Sequence, residues 1–201
     1  MTDHYYAQSP GVKHDRHKLQ VNIRGIDFTF MTDAGVFSKS GIDYGSRVLL
    51  DALELNGNER ILDVGCGYGP IGLTAAKLAP QGHVTMVDIN ERAVALSREN
   101  AVRNGVSHVE VLQSDALAAV ADRRYDVILT NPPIRAGKAV VHRIFEESWS
   151  CLNPGGSLWV VIQKKQGAAS AEDKLESLFE EVSEVTKDKG YRIYRAIRGE
   201  R

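Results

Sequence analysis

Cysteine is nearly absent from this chain of 201 residues: Cys66 and Cys151 are the only two, far apart and in no CxxC or other metal-ligand spacing. That excludes a disulfide framework and a cysteine-based metal site, and isolated thiols of this kind fit a reducing cytoplasm. An excess of charge of either sign is missing too, since 25 Lys and Arg stand against 26 Asp and Glu. There is therefore no global pull towards nucleic acid. No apolar run approaches the length of a membrane span. The opening Met1-Thr-Asp-His-Tyr-Tyr6 also lacks the basic stretch and apolar run of a signal peptide. These absences predict a cytoplasmic chain with no membrane partner and no metal. What remains, 43% hydrophobic and 25% charged residues, describes one domain, or one domain with an appendage, able to bury a sizeable core. There are no repeats, no low-complexity tract and no interdomain linker.

Charge is unevenly spread. Basic groups collect near the start (Lys13, Arg16, Lys18, Arg24), at Arg135, Lys138, His142 and Arg143, at Lys164 and Lys165, and towards the end. Acids collect between Glu172 and Glu184. Such runs ordinarily mark solvated faces, but a basic face beside a site would also position a phosphate backbone.

Leu19–Ile23 and Ile26–Phe30 alternate apolar and polar residues around Arg24-Gly25, a hairpin signal. Asp43 is placed to cap a helix running to about Leu55. Strands then alternate with helices: strands at 60–64, 84–88, 109–113, 126–130 and 157–162, helices at 71–78, 91–103 and 138–151. This spacing predicts an α/β fold with a Rossmann-like, doubly wound sheet. After a helix near 171–179, strands at 182–187 and 191–197 are joined too tightly to be anything but antiparallel. The expectation is a seven-stranded sheet, mostly parallel, with an antiparallel C-terminal strand. Residues 1–42 are expected to form an extension carrying the hairpin, and 43–201 the main α/β domain.

Proline is sparse, six residues in all, yet two of them are adjacent in Asn131-Pro132-Pro133-Ile134, directly after the strand at 126–130. Each proline fixes φ and removes a donor, so the carbonyls of this corner are expected to face outward with few N–H partners. Asn131 Oδ1 and the Pro132 carbonyl can then accept both hydrogens of one exocyclic amine and turn its lone pair towards an electrophile. That suits methylation of an amino nitrogen; the plainer reading is a strand-to-loop turn.

Asp63-Val-Gly-Cys-Gly-Tyr-Gly-Pro-Ile-Gly72 bridges the first strand of the alternating series and its helix. Its glycines let the backbone approach a ligand, and Pro70 suits a first helical turn. A literal GxGxxG at Gly67, Gly69 and Gly72 admits a dinucleotide. Against this, Asp63 would oppose a pyrophosphate and welcome an ammonium group, as in the methionyl part of S-adenosylmethionine. Asp88 closes the next strand where an acid grips ribose hydroxyls. Asp115 is placed either to accept from an adenine amine or to cap a helix.

Together these residues resemble a class I S-adenosylmethionine-dependent methyltransferase. More narrowly they resemble the small-domain methyltransferases that act on guanine N2 of small-subunit ribosomal RNA. The resemblance rests on Gly35-Val-Phe-Ser38, Asp43-Tyr-Gly-Ser46, Asp63-Val-Gly-Cys-Gly67, Asn131-Pro-Pro-Ile-Arg-Ala-Gly-Lys138 and Gln163-Lys-Lys-Gln-Gly167. It implies S-adenosylmethionine as cofactor, held by Asp63, Gly65, Cys66, Gly67 and Gly69 on one strand end and by Asp88, Ile89, Asp115 and Ala116 on the next two, with Asn131 touching it. It implies Asn131, Pro132 and Pro133 as catalytic residues, and ribosomal RNA or the small ribosomal subunit as partner. Substrate contacts fall to Phe37, Ile134, Arg135, Lys138 and Lys164. Ile134 stands where many amino-methylating enzymes carry an aromatic, which leaves Phe37 as the candidate to stack on the base; its plainer reading is a core residue under the hairpin. Larger members carry a second, degenerate domain ahead of the catalytic one, whereas 42 residues precede Asp43 here. Rival substrates are a protein glutamine amide, adenine N6 and a small-molecule amine. A rival of another class is a non-catalytic RNA-binding module on the same fold.

Overall fold

Arg24 and Gly25, at φ 52° and 80°, turn the chain between β1 (His17–Ile23) and β2 (Ile26–Thr32), with Ile23 opposite Ile26. Positive φ at both turn residues matches the right-handed twist of the strands they join. The computed structural model describes residues 6–36 and 41–200. Beyond the hairpin run α1 (Tyr44–Ala52), β3 (Arg60–Val64), α2 (Pro70–Leu78), β4 (His83–Asp88), α3 (Glu91–Arg103), β5 (Val109–Gln113), β6 (Tyr125–Thr130) and α4 (Lys138–Ser150). They are followed by β7 (Leu152–Gln163), α5 (Ala168–Leu178), β8 (Glu181–Asp188) and β9 (Tyr191–Ile197).

Seven strands form one sheet in the order β5-β4-β3-β6-β7-β9-β8. β3 to β7 are parallel, and β9 runs antiparallel to both of its neighbours. This is the Rossmann-like arrangement expected. Alternation along the strands separates two cores. Ile61, Met86, Leu129 and Trp159 face α1, α2 and α3. Leu62, Ile128, Leu158 and Val160 face α4 and α5.

β7 departs from the expectation by beginning at Leu152 rather than at residue 157. Asn153-Pro-Gly-Gly reads as a turn, but the register shift between Tyr125 and Val127 on β6 takes up the irregularity, so pairing resumes at Ser157.

The free edge of β2 is closed by side chains of α3 and its C-terminal cap. Asn104 accepts from Thr29 N–H at 3.0 Å and donates to Thr29 O at 3.0 Å. Asn100 does the same for Met31, at 2.8 and 3.0 Å. Two amides one helical turn apart thus replace a strand partner. The segment before β1 is tied to the start of α3: Glu91 N–H donates to Gln8 O at 3.0 Å, and Arg92 donates to Pro10 O and Val12 O at 3.3 and 2.9 Å.

Candidate active site

Strand order reverses between β3 and β6, and the carboxyl ends of the strands there open into a cavity of about 300 Å³. Open α/β sheets bind ligands at this crevice.

The loop after β3 is stitched to the end of β4. Gly65 and Cys66 N–H both donate to Val87 O, at 2.8 and 3.0 Å, and Gly67 N–H donates to Asp88 Oδ2 at 2.9 Å. Gly65 and Gly67 hold φ at 76° and 58°, and a Cβ added to either would meet no protein atom within 4 Å. The missing side chains therefore leave a cradle open on the cavity. Gly72 is different: its Cβ would lie 2.7 Å from Met86 Cγ and 2.9 Å from Asp63 Oδ2. It is a packing glycine that brings α2 against the sheet.

Asp63 is not on the cavity wall, contrary to expectation. It is fully buried beneath the loop, and its Oδ2 accepts from Gly72 N–H at 2.8 Å. The N-cap of α2 is Gly69, which offers no side-chain acceptor, so Asp63 caps this helix from the strand below. Asp63 Oδ1 has no partner among the described residues. Burial, against the Gly72 bond and with help from the Asp88 charge, raises the Asp63 carboxyl to about 7. Asp88 does line the cavity; its Oδ1 accepts from Asn90 N–H at 2.9 Å, and burial raises it to about 6. Cys66 and Ile89 line the same wall, whereas Gly69 does not.

Asp115 also departs from expectation. It is exposed, paired with Arg143 at 3.0 Å and off the wall, while Ala116, at φ 50°, faces in. Arg143 draws the carboxylate outward, and Asp115 caps no helix with its side chain.

The opposite wall is the proline corner. Thr130 Oγ1 donates to Val64 O at 3.0 Å, fixing the end of β6 to β3. Asn131 Nδ2 donates to Asp43 Oδ2 at 2.6 Å and to Ser46 Oγ at 3.2 Å. Both amide hydrogens are thus committed away from a substrate, and Oδ1 remains an acceptor. The Pro132 carbonyl, expected to lack local partners, accepts from Ile134 N–H at 2.9 Å. Pro133, at φ −76° and ψ 81°, makes an inverse γ-turn there. One lone pair of that oxygen stays available. Ile134 and Arg135 join the wall; Lys138 and Lys164 are exposed and off it. Phe37 lies outside the described residues.

Tyr6, Asp43 and Tyr191 are among the wall residues that the sequence did not mark as cavity residues. Asp43 was read in the sequence as a helix cap and as part of the segments that carry the resemblance, and it keeps the capping role through Ser46 N–H at 3.0 Å. Nothing local marks Tyr6 or Tyr191. Among the described residues no group of three or more His, Cys, Asp or Glu could hold a metal, and no helix is long and apolar enough to cross a membrane.

The family described as methyltransferase small domain matches residues 27–195. The chain belongs to that family. It is 54% identical, over 98% of both chains, to the uncharacterized protein YbxB of Bacillus subtilis. It is 35% identical to the ribosomal RNA large subunit methyltransferase G of Streptomyces avermitilis, matching 82% of this chain and 44% of that one. Among solved structures it resembles a T. Thermophilus 16S rRNA N2 methyltransferase in complex with AdoMet and guanosine. That likeness has a TM-score of 0.82 and 27% identity, and covers 91% of this chain and 50% of the other. The chain thus spans about half the length of the named ribosomal RNA methyltransferases it matches. S-adenosylmethionine is the family's cofactor, and the site offers what it needs: an open glycine cradle and, bonded to it through Gly67 N–H, the Asp88 carboxylate on the wall.

Proposed function

We propose that this methyltransferase modifies the exocyclic N2 amine of a guanine in ribosomal RNA, with S-adenosylmethionine as donor. The observation that carries the reading is the Asn131 amide on the cavity wall, with both hydrogens donated to Asp43 and Ser46. An amine with two hydrogens needs acceptors, and Asn131 Oδ1 with the spare lone pair of Pro132 O supplies two. They orient the nitrogen and stabilise the positive charge that grows on it. The bound cofactor supplies an electrophilic sulfonium methyl; the sulfur–carbon bond breaks as the carbon–nitrogen bond forms, and the methylated amine loses one proton to solvent.

Gly65, Cys66 and Gly67 would cradle the methionyl portion, Asp88 would accept from ribose hydroxyls, and Ile89 and Ala116 would border the adenine. Asp63 would act from beneath, by holding the loop and α2 in place. Guanine suits the wall better than adenine does. Of the two ring nitrogens beside guanine N2, N1 carries a hydrogen and would suit an acceptor-rich wall, whereas both ring nitrogens nearest adenine N6 are acceptors. Similarity to relatives named for both ribosomal RNAs supports the substrate class. Arg135 at the wall, with Lys138 and Lys164 exposed outside it, would meet phosphates rather than the base. With Phe37 outside the described residues, the half-buried Tyr191, one of the aromatics on the wall, would take the part of stacking on the base.

The test is transfer of labelled methyl to ribosomal subunits and naked ribosomal RNA from cells lacking this protein, followed by nucleoside chromatography. Label should appear in N2-methylguanosine. Asn131→Ala should lower turnover by about 10²- to 10³-fold with cofactor affinity nearly unchanged. Label in protein or in N6-methyladenosine would replace the substrate assignment, and no label anywhere would favour a small amine or a non-catalytic role.

A further inference from the structure

An asparagine amide has nearly the same shape either way round, so a cavity that needs its oxygen must also prevent its rotation. The amide of Asn131 has two neighbours. Ser46 Oγ, at 3.2 Å, is a hydroxyl that can donate or accept, and by itself decides nothing. Asp43 Oδ2, at 2.6 Å, carries no hydrogen and can only accept. Ser46 Oγ also lies 3.3 Å from Asp43 Oδ2, to which it donates, so the hydroxyl is left to accept from Asn131. One carboxylate oxygen therefore sets the amide directly and again through Ser46. Rotating the amide would press its oxygen against that carboxylate, and would lose a charge-assisted hydrogen bond.

Asp43 is itself rigidly held. It caps α1 through Ser46 N–H, and Gly45 next to it packs so closely on Tyr191 that an added Cβ would lie 2.8 Å from the ring.

We propose that Asp43 is the positioning residue of the site: it locks the Asn131 amide so that Oδ1 faces the cavity, and thereby selects a substrate that donates hydrogens. The proposal rests on the reading of Asn131 as the acceptor for a target amine.

Two substitutions separate positioning from helix capping. Asp43→Ser keeps an equally good N-cap, but its hydroxyl is too short to reach Asn131. Asp43→Asn keeps both the cap and an oxygen acceptor. Asp43→Ser should lower kcat about 10²-fold, the loss expected from a misplaced catalytic group, with melting temperature and calorimetric cofactor affinity unchanged. Asp43→Asn should stay within about tenfold of wild type, since a neutral acceptor is the weaker one. Asp43→Ser combined with Asn131→Ala should be no slower than Asn131→Ala alone. A second readout needs no activity. In the cofactor-free protein the side-chain amide protons of Asn131 should be shifted and protected in NMR spectra of wild type and Asp43→Asn, and should fall to free-amide positions in Asp43→Ser. Wild-type kcat and an unmoved Asn131 signal in Asp43→Ser would overturn the proposal. So would a loss that simply tracks lower melting temperature and cofactor affinity. Failure of the amine reading looks different: wild type transfers no label to RNA, while the amide signals still report the contact.

Discussion

Asp63 and Asp88 end neighbouring strands, and burial keeps both carboxyls protonated to unusual pH, about 7 and about 6. An unfolded aspartate titrates near 3.9. Between those values the folded chain binds more protons than the unfolded one, so stability declines as pH rises. The contribution is fully present below the unfolded value and is lost through pH 6 to 7. In the cofactor-free protein the melting temperature should therefore fall between about pH 4 and pH 7 and level off above that. Asp63→Asn, which keeps an acceptor for Gly72 N–H and cannot ionise, should flatten that fall by up to about 1.4 kcal/mol per pH unit; an unchanged profile would remove Asp63 as its source. The strand-end acids were legible in the sequence as a spacing. Their directions were not: Asp63 points under the loop, where it accepts from Gly72 N–H in the first turn of α2, and Asp115 points outward to Arg143.

At the scale of elements, α2 and its glycine loop form one unit. Gly65 and Gly67 leave space for a ligand, while Gly72 removes a side chain where α2 meets β4. Gly72→Ala should destabilise the protein by about 1–3 kcal/mol, the usual cost of overpacking. It should also weaken cofactor binding, because Asp63 and the loop would shift with the helix. Thermal unfolding and calorimetry together would check this; a variant as stable as wild type would mean that Met86 yields without cost. Helix and strand limits were readable where local chemistry sets them, as with Asp43 before α1, Pro70 opening α2 and the Arg24-Gly25 turn. The early start of β7 was not, because it rests on the pairing of Leu152 with Tyr125 ahead of the irregularity that holds Asn153-Pro-Gly-Gly.

Across the whole molecule the cavity draws on distant segments, and Arg92 joins several of them. Its guanidinium donates to Ala34 O at 2.7 Å, to Pro10 O at 3.3 Å and to Val12 O at 2.9 Å, holding the segment that carries Tyr6 to the wall. Arg92→Ala would leave these carbonyls without that donor. Limited proteolysis ahead of residue 13 should then accelerate, and cofactor affinity should fall about tenfold, equivalent to about 1.4 kcal/mol, the scale of one hydrogen bond to a charged group. Far-UV circular dichroism should not change. Equal affinity in the variant would show that Tyr6 and its segment are bystanders.

The amino-acid sequence alone determined the α/β class, the alternating strands and helices, the glycine loop and the proline corner. Each depends on hydrophobic period or on backbone chemistry within a few residues. Only the tertiary structure decided that Asp63 caps a helix and stays off the cavity wall, that Tyr6 reaches the cavity, and that the amide of Asn131 is held by Asp43. Those outcomes depend on hydrogen bonds and burial between residues far apart in the chain, which no local pattern records.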